Sequence, residues 1–403
     1  MIRSLLAFGI VLTFAPGLPA LAQTPVESRP PNAVGQQPQL PDQTRAPLPA
    51  VVTEPQLSVI ARELPQLWAL EFLPDGAMLV TAKEGRLFIV NGEGIVGPDI
   101  GGVPQVDAAG QGGLLDVALA PDFETSNQVF FSYAEPREGG NGTSVARATL
   151  VRDSNGGGHL EGLEVIFRQM PSYASTSHFG SRLAFSPDGA LFITVGERYD
   201  ASVRVEAQDV GSGIGKVFRV DRNGAAIADN PFVGTADALP EVWSLGHRNM
   251  QSAAIDSQGR LWTVEHGPRG GDELNMPEAG KNYGWPEVTY GIDYSGDPIG
   301  EGITAQTGTE QPVYYWDPVI APSGMAYYEG TMFPEWSGAF LVGGLVAQSV
   351  VVLHMGNDRV VAEERVPLGA RVRDVKVAPD GSIVVITERR GQGSEIVRLT
   401  ATP

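Results

Sequence analysis

The chain has 403 residues, with 28 Lys plus Arg against 47 Asp plus Glu, a formal net charge of −19 and no cysteine. That balance, with no basic stripe interleaved with aromatics, argues against nucleic acid as a partner. The lack of thiols excludes disulfides, Cys-ligated zinc, thiol catalysis and a lipidated N-terminal Cys, leaving a packed core and hard metal ions as the means of stabilisation.

Residues 1–22 read as a secretory signal peptide: a short basic start at Arg3, an apolar run from Leu5, and a small-x-small site at Ala20-Leu21-Ala22. Pro16 and Pro19 disfavour a buried helix there, and the missing basic flank disfavours a retained anchor. The expectation is a secreted, periplasmic protein with no integral membrane segment after cleavage. Residues 23–55 hold eight prolines among polar residues and read as a disordered or polyproline-like tether.

From Trp68 onward one pattern recurs, a strand of alternating apolar residues, a Pro-Asp-Gly type turn, and a second strand rich in β-branched and aromatic residues. Its copies are Trp68–Thr81, Leu115–Phe123, Leu183–Thr194, Ala253–Thr263, a weaker one from Gly324–Tyr328 to Ala339–Val342, and Val375–Thr387. Pro presets φ at the first corner, Asp bonds the local backbone and Gly accepts positive φ. Six small antiparallel sheets cannot bury both faces alone, but packed radially they share a core. Residues 56–403 are therefore predicted to be all-β, a six-bladed β-propeller of four-stranded antiparallel blades. Leu57–Ala61 would pair with Glu395–Leu399 to close the ring; a parallel β-solenoid would need shorter, more regular repeats.

Function must come from the loops, because the fold hosts enzymes and binding scaffolds alike. Gly110–Asp116, Ser177–Leu183, Gly246–Asn249, Glu265–Asn275, Lys281–Pro286 and Arg371–Asp374 are unusually specific, and most of them precede a blade's first strand, at one end of the channel. Within them His178 is a candidate general base. Arg248, Arg371 and Arg373 suit a small polyanion, or else rim ion pairs with the chain's own acids. Gly267-Pro268 and Asp272-Glu273 offer oxygens that suit calcium better than a transition metal, though such residues also make ordinary turns. His159 and His354 read as structural or solvated, and His247 and His266 stay open.

Together these segments, with Gly291–Gly296, resemble the soluble pyrroloquinoline-quinone-dependent aldose sugar dehydrogenases of the glucose/sorbosone dehydrogenase family, over about 65–400. The resemblance implies a six-bladed propeller that oxidises aldose sugars at C1, with His178 as the base and hydride passing to the quinone. It implies cofactor contacts at Gln111, Arg248, Asn249, Tyr294, Arg371 and Arg373. Gly267 and Pro268 match carbonyl ligands of a calcium ion at the quinone, and Glu273 and Tyr283 match a second, structural calcium site to which Asp293 adds an oxygen. No motif names the electron acceptor.

Three positions depart from the family pattern. Ser177 stands where some members carry an acid before the histidine, Met250-Gln-Ser252 follows the Arg-Asn pair where Pro-Gln-Gly is usual, and Val346 occupies the place of a quinone-contacting lysine. The rival readings are a non-catalytic extracellular propeller that binds a protein or polysaccharide, and a calcium-dependent propeller lactonase. The first has no use for a base beside an anion pocket, and the second needs acidic and amide ligands around the channel.

Overall fold

The computed structural model describes residues 24–389 and 391–402; the predicted signal peptide lies outside them. Their regular secondary structure is almost entirely β, and no described helix is long and apolar enough to cross a membrane. The first two meanders are β2 (Leu67–Phe72), β3 (Met78–Ala82), β4 (Arg86–Val90) and β5 (Val96–Gly101), then β6 (Leu114–Leu119), β7 (Gln128–Arg137), β8 (Gly140–Arg152) and β9 (Gly158–Arg168). A short parallel contact between β5 and β9, Ile100 with Gly158 and Gly101 with His159, joins them into one eight-stranded sheet. Three separate four-stranded sheets follow. They are β10 (Leu183–Phe185), β11 (Leu191–Val195), β12 (Lys216–Val220) and β13 (Val242–Leu245); β14 (Met250–Ile255), β15 (Leu261–Glu265), β16 (Asp272–Asn275) and β17 (Tyr314–Trp316); and β18 (Pro322–Tyr327), β19 (Phe340–Gly344), β20 (Ser349–Gly356) and β21 (Arg359–Pro367). The last sheet combines β22 (Arg371–Val377), β23 (Ile383–Arg389) and β24 (Gly393–Thr400) with β1 (Gln56–Leu64), so both ends of the chain meet in it. Leu57 pairs with Leu399 and Ala61 with Ile396, the closure expected from sequence.

The Pro-Asp-Gly turns behave as their chemistry requires: Gly76 takes φ +82° and its N–H closes on the Leu73 carbonyl at 2.9 Å. The first strands touch in sequence order, β2 to β6, β6 to β10, β10 to β14, β14 to β18, β18 to β22, and β22 back to β2. Apolar clusters fill the spaces between successive four-stranded meanders. Leu79 and Phe131 share one, Phe130 and Phe218 another, and Leu70 packs with Val384 and Ile396 where the last sheet meets the first. This arrangement is consistent with a β-propeller.

Charge is buried along the first strands. The Arg182 guanidinium, fully enclosed, lies 3.0 Å from both Asp116 and Asp374, donates to the Gln251 carbonyl, and faces the Trp68 ring at 4.1 Å. One cation thus ties residues from several sheets.

The expectation of a disordered tether does not hold for residues 24–55. They form an arm laid against the sheets of β17 and β21. Gln43 is fully buried, its amide donating to the Pro312 carbonyl and its backbone carbonyl accepting from Tyr315. Arg45 donates to the carbonyls of Glu27, Arg29 and Asp317, and Glu363 N–H reaches Pro47. Polar, proline-rich composition removes the means to build a core, but it does not prevent docking where each backbone polar group finds a partner.

Candidate active site

The loops that precede β6, β10, β14, β18 and β22 come to one end of the ring. His178 is buried in the loop before β10, with its backbone in the left-handed region at φ +51°. Its N–H donates to Gln111 Oε1 at 2.8 Å, and its Nδ1 lies 2.6 Å from Glu197 Oε1. The other carboxylate oxygen accepts from Tyr199 N–H at 3.0 Å, while the Tyr199 ring meets the imidazole edge-on. Among the described residues nothing bonds His178 Nε2. With Glu197 ionised, Nδ1 carries the proton and Nε2 presents a lone pair.

Glu197 was missed from sequence. It follows β11 by two residues, held against the His178 loop because Gly196 lacks a side chain: a Cβ there would lie 2.3 Å from the His178 carbonyl oxygen. It places a carboxylate against the imidazole, where Ser177 offers none. Burial pushes the Glu197 carboxyl up to about 7, against the opposing pull of Arg248. Burial, then Arg248 and Arg198, hold the imidazole well below its ordinary range. Arg198 and Tyr199 also adopt positive φ, +70° and +73°, conformations that cost roughly 1–3 kcal/mol each and cluster at functional sites.

A cavity of about 300 Å³ is lined by Gln111 and Phe179, which adjoin His178, and by Trp68, Lys83, His266, Arg371 and Arg373, among others; His178 itself is not one of its lining residues. Arg371 Nε and Arg373 both donate to Glu388 Oε1, at 2.8 and 3.0 Å. Burial raises the Glu388 carboxyl, but Arg373 and Arg371 outweigh it and hold it down at about 2. The predicted rim ion pairs therefore exist, yet one carboxylate serves two guanidiniums. Lys83, just after β3, adds a third cation whose Nζ, among the described residues, donates only to the Gly110 carbonyl. Burial and the neighbouring Arg373 lower its pKa. The walls keep excess positive charge, and Arg373 Nε is buried without a partner among the described residues. Such walls fit a compact polycarboxylate.

A second cavity, about 400 Å³, is lined by Glu197, Tyr199, Arg204, Arg248, Pro268, Trp285 and Tyr294. Tyr294 is 57% exposed and faces this space, not the first cavity. Arg248 donates to the His266 and Gly267 carbonyls at 3.0 and 2.8 Å and lies over the Trp285 ring, with its Nε unpartnered. Asn249 Oδ1 accepts from Gly180 N–H. Val346 is 51% exposed and is not among the first cavity's lining residues; its neighbour Leu345 is. Val346 thus does not line this cavity, and Lys83 does.

Between Arg248 and Tyr283 is a void of about 10 Å³, also bordered by Glu265, Gly267, Gly271 and Glu273. That is close to the space of one small ion or water. Glu273 is raised well above the usual carboxylate range by burial and by Glu265, strain that a cation relieves. The Tyr283 hydroxyl donates to the Met276 carbonyl and its ring stacks on His247, so its backbone carbonyl is the oxygen left for a metal. Pro268 likewise keeps a carbonyl that accepts no hydrogen bond among the described residues. Asp293 accepts from Ser295 N–H in an exposed turn. His247 is structural, held by Ser244 and Glu265, whereas His266 lines the first cavity and bonds the Pro322 carbonyl. His159 pairs with Glu161 at the surface, and His354 with Glu364.

A family model described as glucose/sorbosone dehydrogenase matches residues 64–398. The chain belongs to the glucose/sorbosone dehydrogenase family. Within it, aldose sugar dehydrogenase YliI of Escherichia coli K12 is 43% identical over 341 residues, covering 82% of this chain and 90% of that protein. Quinoprotein glucose dehydrogenase B of Acinetobacter calcoaceticus is 26% identical, over 83% of this chain and 85% of its own. Among solved structures, the PQQ-bound aldose sugar dehydrogenase of Streptomyces coelicolor superposes with a TM-score of 0.70 at 28% identity, covering 87% of this chain and 99% of that one. A glucose dehydrogenase crystal structure reaches 0.82 at 44% identity, covering 86% and 100%.

Proposed function

We propose that this protein is a pyrroloquinoline-quinone- and calcium-dependent dehydrogenase that oxidises aldoses at C1 to lactones, with His178 as general base. Its body is a six-bladed propeller, the eight-stranded sheet being two blades tied at their outer edges, and residues 1–22 direct export to the periplasm. The observation that carries the reading is the buried His178–Glu197 pair, 2.6 Å apart, whose Nε2 has no partner among the described residues and whose neighbours Gln111 and Phe179 line a cation-rich cavity.

A bound quinone would supply the acceptor for the hydride of C1, and calcium would supply a Lewis acid beside it. His178 Nε2 takes the proton of the C1 hydroxyl. Glu197 holds Nδ1–H, fixes the ring's orientation, and balances the imidazolium charge that develops. Loss of hydride from C1 and of the hydroxyl proton leaves the lactone carbonyl. Arg371, Arg373 and Lys83 would hold the quinone's carboxylates and carbonyl oxygens; Gln111 sets the His178 backbone; and Arg248 and Asn249 would supply donors that have no partner among the described residues. Gly267 and Pro268 offer carbonyls to the ion at the cofactor, and Glu273 with the Tyr283 carbonyl to a structural ion. Tyr294 packs its ring 6.5 Å from that of Tyr199 on the wall of the second cavity.

The test is a dye-linked dehydrogenase assay on purified protein with quinone and calcium, against a panel of aldoses. Turnover that needs both additions and yields lactone is expected. No turnover on any aldose by protein shown to be quinone-loaded would overturn the assignment.

A further inference from the structure

The N-terminal arm lies outside the residues shared with the family model, which begin at 64. It nevertheless reaches the back of a candidate cofactor loop. We propose that residues 24–47 are a positioning element for the loop Gly267–Gly271, acting through the carboxylate of Asp317. The proposal rests on reading that loop as part of the quinone and calcium site.

Asp317 is buried just after β17. Its carboxylate accepts from Asn32 N–H at 2.8 Å, Asn32 Nδ2 at 3.0 Å and Ala33 N–H at 2.9 Å. Among the described residues it accepts no other hydrogen bond, so every donor to this carboxylate belongs to the arm. Arg45 holds the Asp317 carbonyl at 2.7 Å as well. The opposite side of the carboxylate lies directly on the loop. A Cβ at Gly270 would stand 2.7 Å from Asp317 Oδ1, so only glycine lets the two approach. Gly271 N–H bonds the Trp316 carbonyl at 2.9 Å, and Asp272 takes the N–H groups of Gly267, Ile320 and Ala321. The stretch 316–321 thus carries the arm on one side and the loop on the other. Beyond the loop are Arg248 and the second cavity, which Pro268 lines.

The physical consequence follows from the cost of burying a charge without donors. With the arm undocked, Asp317 must hydrate, and the segment that reaches water must move away from Gly270. The loop then loses its backing, while the sheets keep their cores. Groups that orient metal ligands from behind commonly change metal affinity by about 10–100-fold.

The test uses the full chain with Asn32→Ala and Arg45→Ala combined. Hydrogen exchange is followed in the arm and in residues 267–272 without quinone, and quinone affinity is titrated at fixed calcium. Faster exchange in both segments, a quinone Kd raised about tenfold or more, and turnover at saturating quinone and calcium near that of the parent are expected. Released arm residues with loop protection and quinone Kd unchanged would overturn the proposal. If the double variant does not fold, Asn32→Ala alone removes one donor and should shift the same readings less; no shift in either reading would count against the arm. If the parent itself binds no quinone, the functional reading fails, and loop exchange still decides whether arm and loop are coupled.

Discussion

Replacing Glu197 by Gln keeps the shape and removes the charge behind His178. In the folded protein the carboxyl is pushed up to about 7, from 4.5 in the absence of the fold, so the native state binds this proton more tightly than the unfolded chain. Its favourable contribution is fully present below 4.5 and is lost as pH rises through 7. At 1.36 kcal/mol per pH unit that gap is about 3 kcal/mol, or about 4 °C in Tm by the usual unfolding entropy per residue. Wild type should therefore lose stability relative to Glu197→Gln between pH 4.5 and 8, by roughly that amount. Turnover should move the other way. The amide has one acceptor oxygen where the carboxylate uses separate oxygens for His178 and Tyr199, and it cannot balance an imidazolium, so a loss of about 10²–10⁴-fold is expected. Calorimetry across the pH range and dye-linked turnover of quinone-loaded protein measure the two effects. Parallel pH slopes together with unchanged turnover would refute the role assigned to Glu197.

Three further outcomes follow from the same geometry. Lys83→Met should weaken quinone binding by about 10–100-fold, the scale of a lost charged hydrogen bond, while Val346→Lys changes it little; the reverse ranking in an equilibrium titration would restore the lysine position expected from sequence. Arg182→Met leaves Asp116 and Asp374 buried without their cation and should cost about 3–5 kcal/mol, read as a lower Tm at neutral pH, and a variant as stable as the parent would contradict that pairing. Calcium at 100 times its Kd should stabilise the protein by about 2.7 kcal/mol and chelator should abolish turnover. In Glu273→Gln the thermal gain should shrink, and an undiminished gain would remove Glu273 from the ion's ligands.

What was legible in the sequence depended on how local the signal was. Pro74-Asp75-Gly76 and its counterparts specify a turn within four residues, and Leu57 and Leu399 could be matched because a closing strand was needed. His178 and Gln111 stood out in short, specific loops, and they do meet. Glu197 was hidden because its partner is 19 residues away and its contact depends on Gly196 permitting two backbones to touch. Lys83 was hidden for the same kind of reason, a cation supplied by one sheet to guanidiniums of another. The arm misled because composition reports whether a segment can build its own core; Asn32 and Gln43 instead complete polar groups of Asp317 and Pro312, nearly three hundred residues on.

The most direct test of the central claim is anaerobic mixing of quinone- and calcium-loaded protein with excess aldose, following the quinone's absorbance in a single turnover. The wild type should reduce its quinone completely and form one lactone per site, and His178→Gln should load fully but reduce it at least about 10²-fold more slowly. Equal reduction rates in the two proteins would contradict His178 as the base, and no reduction in the loaded wild type would contradict sugar oxidation itself.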